Sequence, residues 1–397
     1  MFYLVFILVV GALLRVNDRR RIGLVFAVLL TFCVVAFRFE IAVDWWNYID
    51  KFKQDGEMLA QGNLLVTELF RRLTMGSIEQ LGLPYVVHNM FYAAFAVFGL
   101  FFFLAKLPHR HVVWLAIAPF FVVLLAMGYV RQSLAVGIVF FVAGSVTQYA
   151  PRLALLGGVS AGYHLPSSLI SLALNLWNIG RNWKWSLIGI LFVCLLLALN
   201  IDGFISRVAV YLSAFDLPPL ALLLPFDSGD LLLRPGDPST PSRSEPTGAG
   251  EIDATAPSLA PSALVSAGAL YRVGLAAIGC AGVFLLRKGE IPNLKIAAAF
   301  PHRAVALATF ALIPVALIYS TFADRYMYFA LPSFALGICV IQHRMPQSLR
   351  WLSGAAIAGL YLGAFAGWMV FGTHADAWLP YQMYWFGGEI LTFAFFG

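Results

Sequence analysis

The sequence predicts an all-α polytopic membrane bundle of about ten crossings, with a re-entrant pair of half-helices around His164. Three observations lead there. The 397 residues are 61% hydrophobic and only 12% charged, whereas a soluble domain carries about 25% charge. Apolar runs of roughly 17–23 residues recur, the length that crosses a bilayer as a helix. The basic residues sit in short clusters between those runs, which is how membrane helices are oriented. The net charge of +6 is therefore no nucleic-acid signal, and no nucleic-acid partner is expected. The whole chain, 1–397, reads as one membrane domain.

The first run, "MFYLVFILVVGALL", lacks a basic start and a small-residue cleavage end, so it is expected as a retained helix over 2–14. Further apolar runs predict helices over 22–37, 85–105, 112–127, 129–147, 184–200, 264–286, 303–322, 325–342 and 349–371. Segment 38–84, rich in acids and aromatics, is expected as a periplasmic loop. Within it "LLVTELFRRLTM", with Glu68, Arg71 and Arg72, reads as an amphipathic helix lying on the membrane. Segment 201–263 is rich in Pro, Ser, Gly and Asp and is expected as a partly disordered periplasmic loop. Cys33, Cys194, Cys280 and Cys339 are scattered in apolar runs with no CxxC or Cys/His pair. Neither a disulfide framework nor a metal site is expected, and no cofactor.

Sidedness follows from the basic clusters. "RVNDRRR", "KLPHRH", "YAPR", "RKGEIPNLK" and "HRMPQSLR" all belong on the cytoplasmic side. A single crossing over 153–176 would put "GRNWKW" outside and invert everything after it. The conflict disappears if this stretch enters and leaves on one side. "LALLGGVSAGYHLPSSLISLALNLW" permits that, with Gly162 before His164 and Pro166 after it. Irregular backbone at membrane depth survives where protein or a water-filled cavity covers it, and broken helices build binding sites. Both termini then face outward, and a reporter fused after Gly180 should read as cytoplasmic.

On this topology unusual groups collect at the outer face. They are Arg38; Asp44, Trp45, Trp46 and Tyr48; Arg131 and Gln132; His164; and Asp324, Arg325 and Tyr326. Each has an ordinary reading. Arginines snorkel, Trp and Tyr form interfacial belts, His164 bonds a carbonyl freed at the helix break, and Asp324 with Arg325 makes a capping pair. Together these readings weaken. An arginine at mid-membrane costs about 2.5–3.5 kcal/mol on insertion scales and usually faces a cavity or partner. Several arginines facing one cavity repel unless an anion is shared, and the planar guanidinium fork suits phosphate oxygens. The expected partner of Arg131 is a lipid phosphate or pyrophosphate, not a carboxylate from the same chain.

In order, the chain carries Arg38, Asp44 with Trp45 and Tyr48, "YVRQSLAVGI", "GYHLPSSLI" and "DRYMYF". This ordered set resembles the EpsG family of exopolysaccharide-synthesis membrane proteins, related in role to Wzy-type polysaccharide polymerases. One departure is Ala42, where the pattern has glycine. The resemblance implies a metal-independent polymerase of the bacterial inner membrane. It would join oligosaccharide repeat units carried on undecaprenyl pyrophosphate, with its active site facing the periplasm. The implied partners are lipid-linked donor and acceptor, membrane lipid, and a chain-length regulator and flippase of the same pathway. Arg131, Arg325 and Arg38 would hold the pyrophosphate. His164 or Asp44 would take the acceptor proton or contact substrate. Trp45, Trp46, Tyr48, Gln132 and Tyr326 would meet sugar. Three other readings stay open: an O-antigen-ligase-like transferase, a lipid-linked oligosaccharide flippase, and a membrane O-acyltransferase. A flippase should show internal repeats, which the sequence does not display. An acyltransferase would draw on a cytosolic acyl donor, whereas these groups face out.

Overall fold

The computed structural model describes residues 1–16, 21–42, 44–63, 68–145, 149–198, 267–287, 300–318, 320–372, 375–379, 381–384 and 390–393. The loop expected over 201–263 lies outside them. The described chain is an all-α polytopic membrane bundle, and each apolar run read from the sequence carries a helix among its described residues. The first half contains α1 (Phe2–Arg15), α2 (Ile22–Ala36), α3 (Trp45–Ala60), α4 (Leu69–Gln80), α5 (Tyr85–Leu104), α6 (Arg110–Ala118) and α7 (Val130–Ala143). Then come α8 (Tyr149–Tyr163), α9 (Leu165–Asn178) and α10 (Trp183–Ala198). The second half contains α11 (Ala267–Leu285), α12 (His302–Ile318), α13 (Ser320–Met327), α14 (Leu331–Arg344) and α15 (Arg350–Phe371). By length and composition four stretches can cross a membrane unaided: Tyr85–Leu104, Gly268–Leu285, Phe322–Arg344 and Gln347–Phe371. The remaining apolar helices are shorter.

Three local features shape the end of the bundle that holds the unusual groups. Helix α6 runs on as a π-helix over Pro119–Ala126, because Pro119 has no N–H for the regular ladder and the turn widens around it. Tyr129 then leaves helical geometry at φ −110°, ψ 66°, and the chain reverses so that Phe121 meets Phe140 at 5.1 Å. His164 is the second reversal. Its extended backbone, φ −146°, ψ 93°, lets α8 and α9 fold back on each other, and Asn175 Nδ2 donates to the Leu153 carbonyl at 3.3 Å. Those two residues lie equally far in sequence from His164, so the pair is an antiparallel hairpin with His164 at its tip. Third, a small sheet appears that hydropathy does not reveal. Strand β1 (Arg38–Phe39) pairs antiparallel with β2 (Tyr381–Tyr384), which pairs with β3 (Ile390–Phe393).

Polar anchors fix the two ends of the bundle. At the end bearing β1, Tyr3 Oη donates to the Trp378 carbonyl at 2.7 Å and Trp378 Nε1 to the Val123 carbonyl at 3.0 Å. Tyr381 Oη donates to the Val34 carbonyl at 2.7 Å. At the opposite end Arg110 Nε donates to the Leu14 carbonyl at 3.0 Å, and the His109 and His343 rings lie 6.0 Å apart. Between the ends, small residues let helices close up. A Cβ on Gly99 would strike the backbone of Gly137, joining α5 to α7, and one on Gly282 would strike Gly337, joining α11 to α14. Lipid tails give apolar helices no reason to associate, so close packing at such residues supplies the attraction.

A buried arginine layer is the candidate functional site

The turn before α3 sets up the site. Ala42 has φ +79°, a region an L-residue with a Cβ enters at a cost of roughly 1–2 kcal/mol. Its N–H donates to the Ala377 carbonyl at 2.7 Å, which holds the strained turn in place. Glycine, the residue expected two positions before Asp44, would enter this region without that cost. The turn delivers Asp44, half-buried, to the start of α3. Trp45 and Tyr48, one helical turn apart, point inward, whereas Trp46 lies on the other face and is 51% exposed. The four residues therefore do not share one surface: Trp45 packs on Phe39 and Tyr85, and Tyr48 lies under Arg131, 5.6 Å from guanidinium carbon to ring centre.

Helices α3 and α4 form a hairpin in which Asp55, Arg71 and Arg72, with Glu68 at the start of α4, face the protein. Glu68 is fully buried and accepts from Arg71 Nε at 2.9 Å and from Arg131 Nη1. Asp55, also buried, accepts from Arg71 Nη1 and from Arg72 Nε at 3.4 Å. Burial pushes the Asp55 carboxyl up, against the opposing pull of Arg71 and Arg72. The expectation for Arg131 is thus corrected: its partner is a carboxylate of the same chain, Glu68. The sequence could not show this, because Glu68 lies 63 positions away on a helix whose polar face would ordinarily meet solvent.

Arg38 lies deeper, 1% exposed. Nη1 donates to the Val35 carbonyl at 2.6 Å and Nη2 to Asn89 Oδ1 at 3.2 Å, while Nε is buried without a hydrogen bond. Among the described residues no carboxylate pairs with it. His88, fully buried one residue before Asn89, has neither ring nitrogen hydrogen-bonded and sits among Phe52, Tyr85 and Tyr92. Sequence reading missed His88 because a histidine in an apolar run is ordinary core. Among the described residues the layer holds four guanidiniums, of Arg38, Arg71, Arg72 and Arg131, against the two carboxylates of Asp55 and Glu68.

A second centre adjoins the first. Arg272 on α11 grips Asp324 with both nitrogens of its fork, Nε to Oδ1 at 2.7 Å and Nη2 to Oδ2 at 2.9 Å. Asp324 is therefore not simply capping beside Arg325. Arg272 went unnoticed in the sequence, although the argument applied to Arg131 fits it, as one charge inside the apolar run of α11. Arg325 stands over the Tyr129 ring at 5.9 Å, and Gln132 Nε2 donates to the Arg325 carbonyl. The turn Tyr129–Gln132 thus joins the two centres, with Arg131 held at Glu68 and Tyr48 and Arg325 at Tyr129. Asp44 lies close enough to act electrostatically on Tyr129. Tyr326 meets Phe322 with ring centres 4.3 Å apart and planes tilted by 40°. His164 is buried, its Nδ1 2.6 Å from Ser167 Oγ, and its neighbour Tyr163 meets Tyr92 at 5.6 Å.

The profile of the EpsG family matches residues 21–218, about half of the chain, and takes in Arg38, Asp44, Arg131 and the His164 corner. The chain belongs to the EpsG family. No curated protein and no solved structure matches it. This EpsG-family chain is a membrane protein of polysaccharide biosynthesis. Arg272, Asp324 and Arg325 come from beyond the matched segment, so the second centre is supplied by the rest of the bundle.

Proposed function

We propose that this protein polymerises lipid-linked oligosaccharide units at the periplasmic face of the bacterial inner membrane, with the substrate's pyrophosphate held at the arginine layer. The observation that carries the reading is the surplus of buried positive charge among the described residues, four guanidiniums facing two carboxylates. Each buried ion left uncompensated costs several kcal/mol, and an anionic ligand removes that cost on binding. Arg131, whose side chain is 14% exposed, and the half-buried Arg325 form the accessible edge, with Arg38 behind them. In the reaction a hydroxyl of the acceptor sugar attacks the anomeric carbon of the donor. The bond from that carbon to the pyrophosphate oxygen breaks, and its electron pair leaves with the pyrophosphate. Asp44, on the accessible edge, takes the hydroxyl proton; a positioned base contributes roughly 10²–10⁴ in rate. Fixed guanidinium donors stabilise the leaving anion, each preorganised donor being worth about 2.7–4 kcal/mol. His164 positions the α8–α9 corner beside this layer.

Cells carrying Arg325→Ala or Arg38→Lys test the reading through their lipid-linked products. Single repeat units on the carrier, exposed to the periplasm, are the expected accumulation. Normal long polymer in both variants would overturn the mechanism. Units trapped on the cytoplasmic side would indicate a flippase, and full-length polymer lacking only acyl groups an acyltransferase.

A further inference from the structure

An apolar groove of about 960 Å³ is walled by α2, α5, α7 and α8. The arginine layer sits at one end of these helices, with Arg38 after α2, Arg131 at the start of α7 and His164 after α8. The groove sits at the other. Its lining takes in Leu24 near the start of α2, Phe141 near the end of α7, and α5 from Ala94 down to Ala105. These ends adjoin the basic loops, the side that the basic clusters assign to the cytoplasm. The α5 stretch is roughly 16 Å long at 1.5 Å per residue, about half of the ~30 Å hydrocarbon thickness and so the depth of one leaflet. Val25, Phe98 and Leu155 are exposed at the mouth, which opens sideways. The close approach of α5 to α7 at Gly99 and Gly137 forms the floor.

Two cations stand on the groove's own aromatic wall. Lys106 Nζ lies over the Phe102 ring, 4.6 Å from its centre. The Arg152 guanidinium lies 5.2 Å from the same ring and 4.1 Å from that of Phe141. The two rings are 4.7 Å apart, and both line the groove. Ser145 Oγ, just beyond α7, accepts from Arg152 Nη1 and fixes the head of that side chain. Lys106 is exposed and forms no ion pair among the described residues. Arg21, also exposed, precedes Leu24 of the α2 wall by one helical turn. In the sequence, segments 15–21, 105–111 and 144–152 carry seven lysines and arginines against one acid, Asp18, so this end of the groove is strongly positive.

We propose that this groove binds an anionic phospholipid of the cytoplasmic leaflet, its phosphate at Lys106 and Arg152 and an acyl chain along Phe98 and Gly99. An apolar slot one leaflet deep, with cations held at its aqueous end, matches the two parts of such a molecule. Basic pockets between membrane helices on the cytoplasmic side take phosphate headgroups of this kind. Charge selects the class of lipid. A zwitterionic head brings its own ammonium into the same space, where two fixed cations repel it; a head with phosphate as its only charge meets attraction alone. The site is separate from the arginine layer and does not depend on the chemistry proposed there.

The test uses the full-length protein in nanodiscs of phosphatidylethanolamine, doped with phosphatidylglycerol that carries a diazirine on one acyl chain. Labelled peptides are expected from the groove walls on α2, α5, α7 and α8. Phosphatidylethanolamine with the same diazirine should label them at least about tenfold less. Unlabelled phosphatidylglycerol and cardiolipin should both compete; cardiolipin winning at a tenth of the concentration would assign the doubly charged head, and equal competition the single phosphate. Lys106→Gln, at an exposed position that leaves the packing alone, should cut labelling about fivefold, the worth of one lysine near an anionic surface. Adding Arg152→Gln should bring the loss to at least about tenfold. Leu155→Trp, which fills the mouth from α8, should also reduce it. Equal labelling by the two lipids would mean ordinary boundary lipid and would overturn the proposal. So would undiminished labelling in Lys106→Gln, or labels that map to other helices.

Discussion

Glu68→Gln removes the charge that holds two arginines while keeping the size of the side chain. In the folded protein Glu68 is fully buried, and its partners Arg71 and Arg131 have side chains 9% and 14% exposed. After the substitution Arg71 still has Asp55, but Arg131 has no carboxylate. Breaking a buried pair by removing one partner costs about 3–5 kcal/mol. With an unfolding entropy of about 2.1 cal/mol/K per residue, that lowers the melting midpoint of a chain this long by roughly 4–6 °C. Thermal unfolding in detergent, followed by tryptophan fluorescence, reads the shift. The decisive comparison is the cycle with Arg131→Met. Removing both charges leaves no orphan, so the double variant should be more stable than the two single losses combined by more than about 1 kcal/mol. A midpoint within about 1 °C of wild type, or strict additivity, would refute the claim that Glu68 neutralises Arg131.

Three further outcomes follow from particular residues. Ala42→Gly should raise stability by about 1 kcal/mol, because glycine adopts the φ of +79° without the Cβ penalty; denaturant midpoints measure it, and a loss of stability would count against a strained turn. Either Arg272→Ala or Asp324→Ala alone should reduce the yield of folded protein, and the exchange Arg272→Asp with Asp324→Arg should recover part of it, because the fork-to-carboxylate geometry is what the pair supplies. Burial, then the neighbouring charges of Arg350 and His343, depress the pKa of His109 in the loop before α6. The unfolded chain therefore binds the proton more readily, and stability should fall as pH drops below the unperturbed value near 6.5. His109→Asn, which tolerates the left-handed backbone there (φ +52°), should flatten that dependence in melting curves taken across the range.

The spanning helices were legible because a bilayer reads a local property. An apolar run of sufficient length is a helix whatever its neighbours are, and α5, α11, α14 and α15 all follow from that alone. The corner at His164 was legible for a similar reason: counting basic clusters required a reversal, and Gly162 with Pro166 marked where the backbone could make it. The partners of the charges were not legible. Arg131 finds Glu68, Arg38 finds Asn89, and Arg272 finds Asp324, each across a stretch of chain that carries no trace of the pairing. The α3–α4 hairpin shows the same limit. Its amphipathic pattern gives a polar face, but Arg71 and Arg72 turn that face toward Asp55 and Glu68. Strands β1 and β2 are four residues or shorter, too brief for alternation to stand out from the aromatic segments around them.

The strand pairing sets an order of events during synthesis. Tyr381, which closes over Arg38 and anchors on Val34, lies 347 residues downstream of that anchor. At about 5–20 residues per second a ribosome needs roughly 20–70 s to make the intervening chain. Throughout that interval Arg38 is already at the end of an inserted helix, without the strand that will cover it. In that interval the guanidinium has only the Val35 carbonyl of its own helix and, once α5 is made, Asn89; the strand that completes the covering of the site comes last.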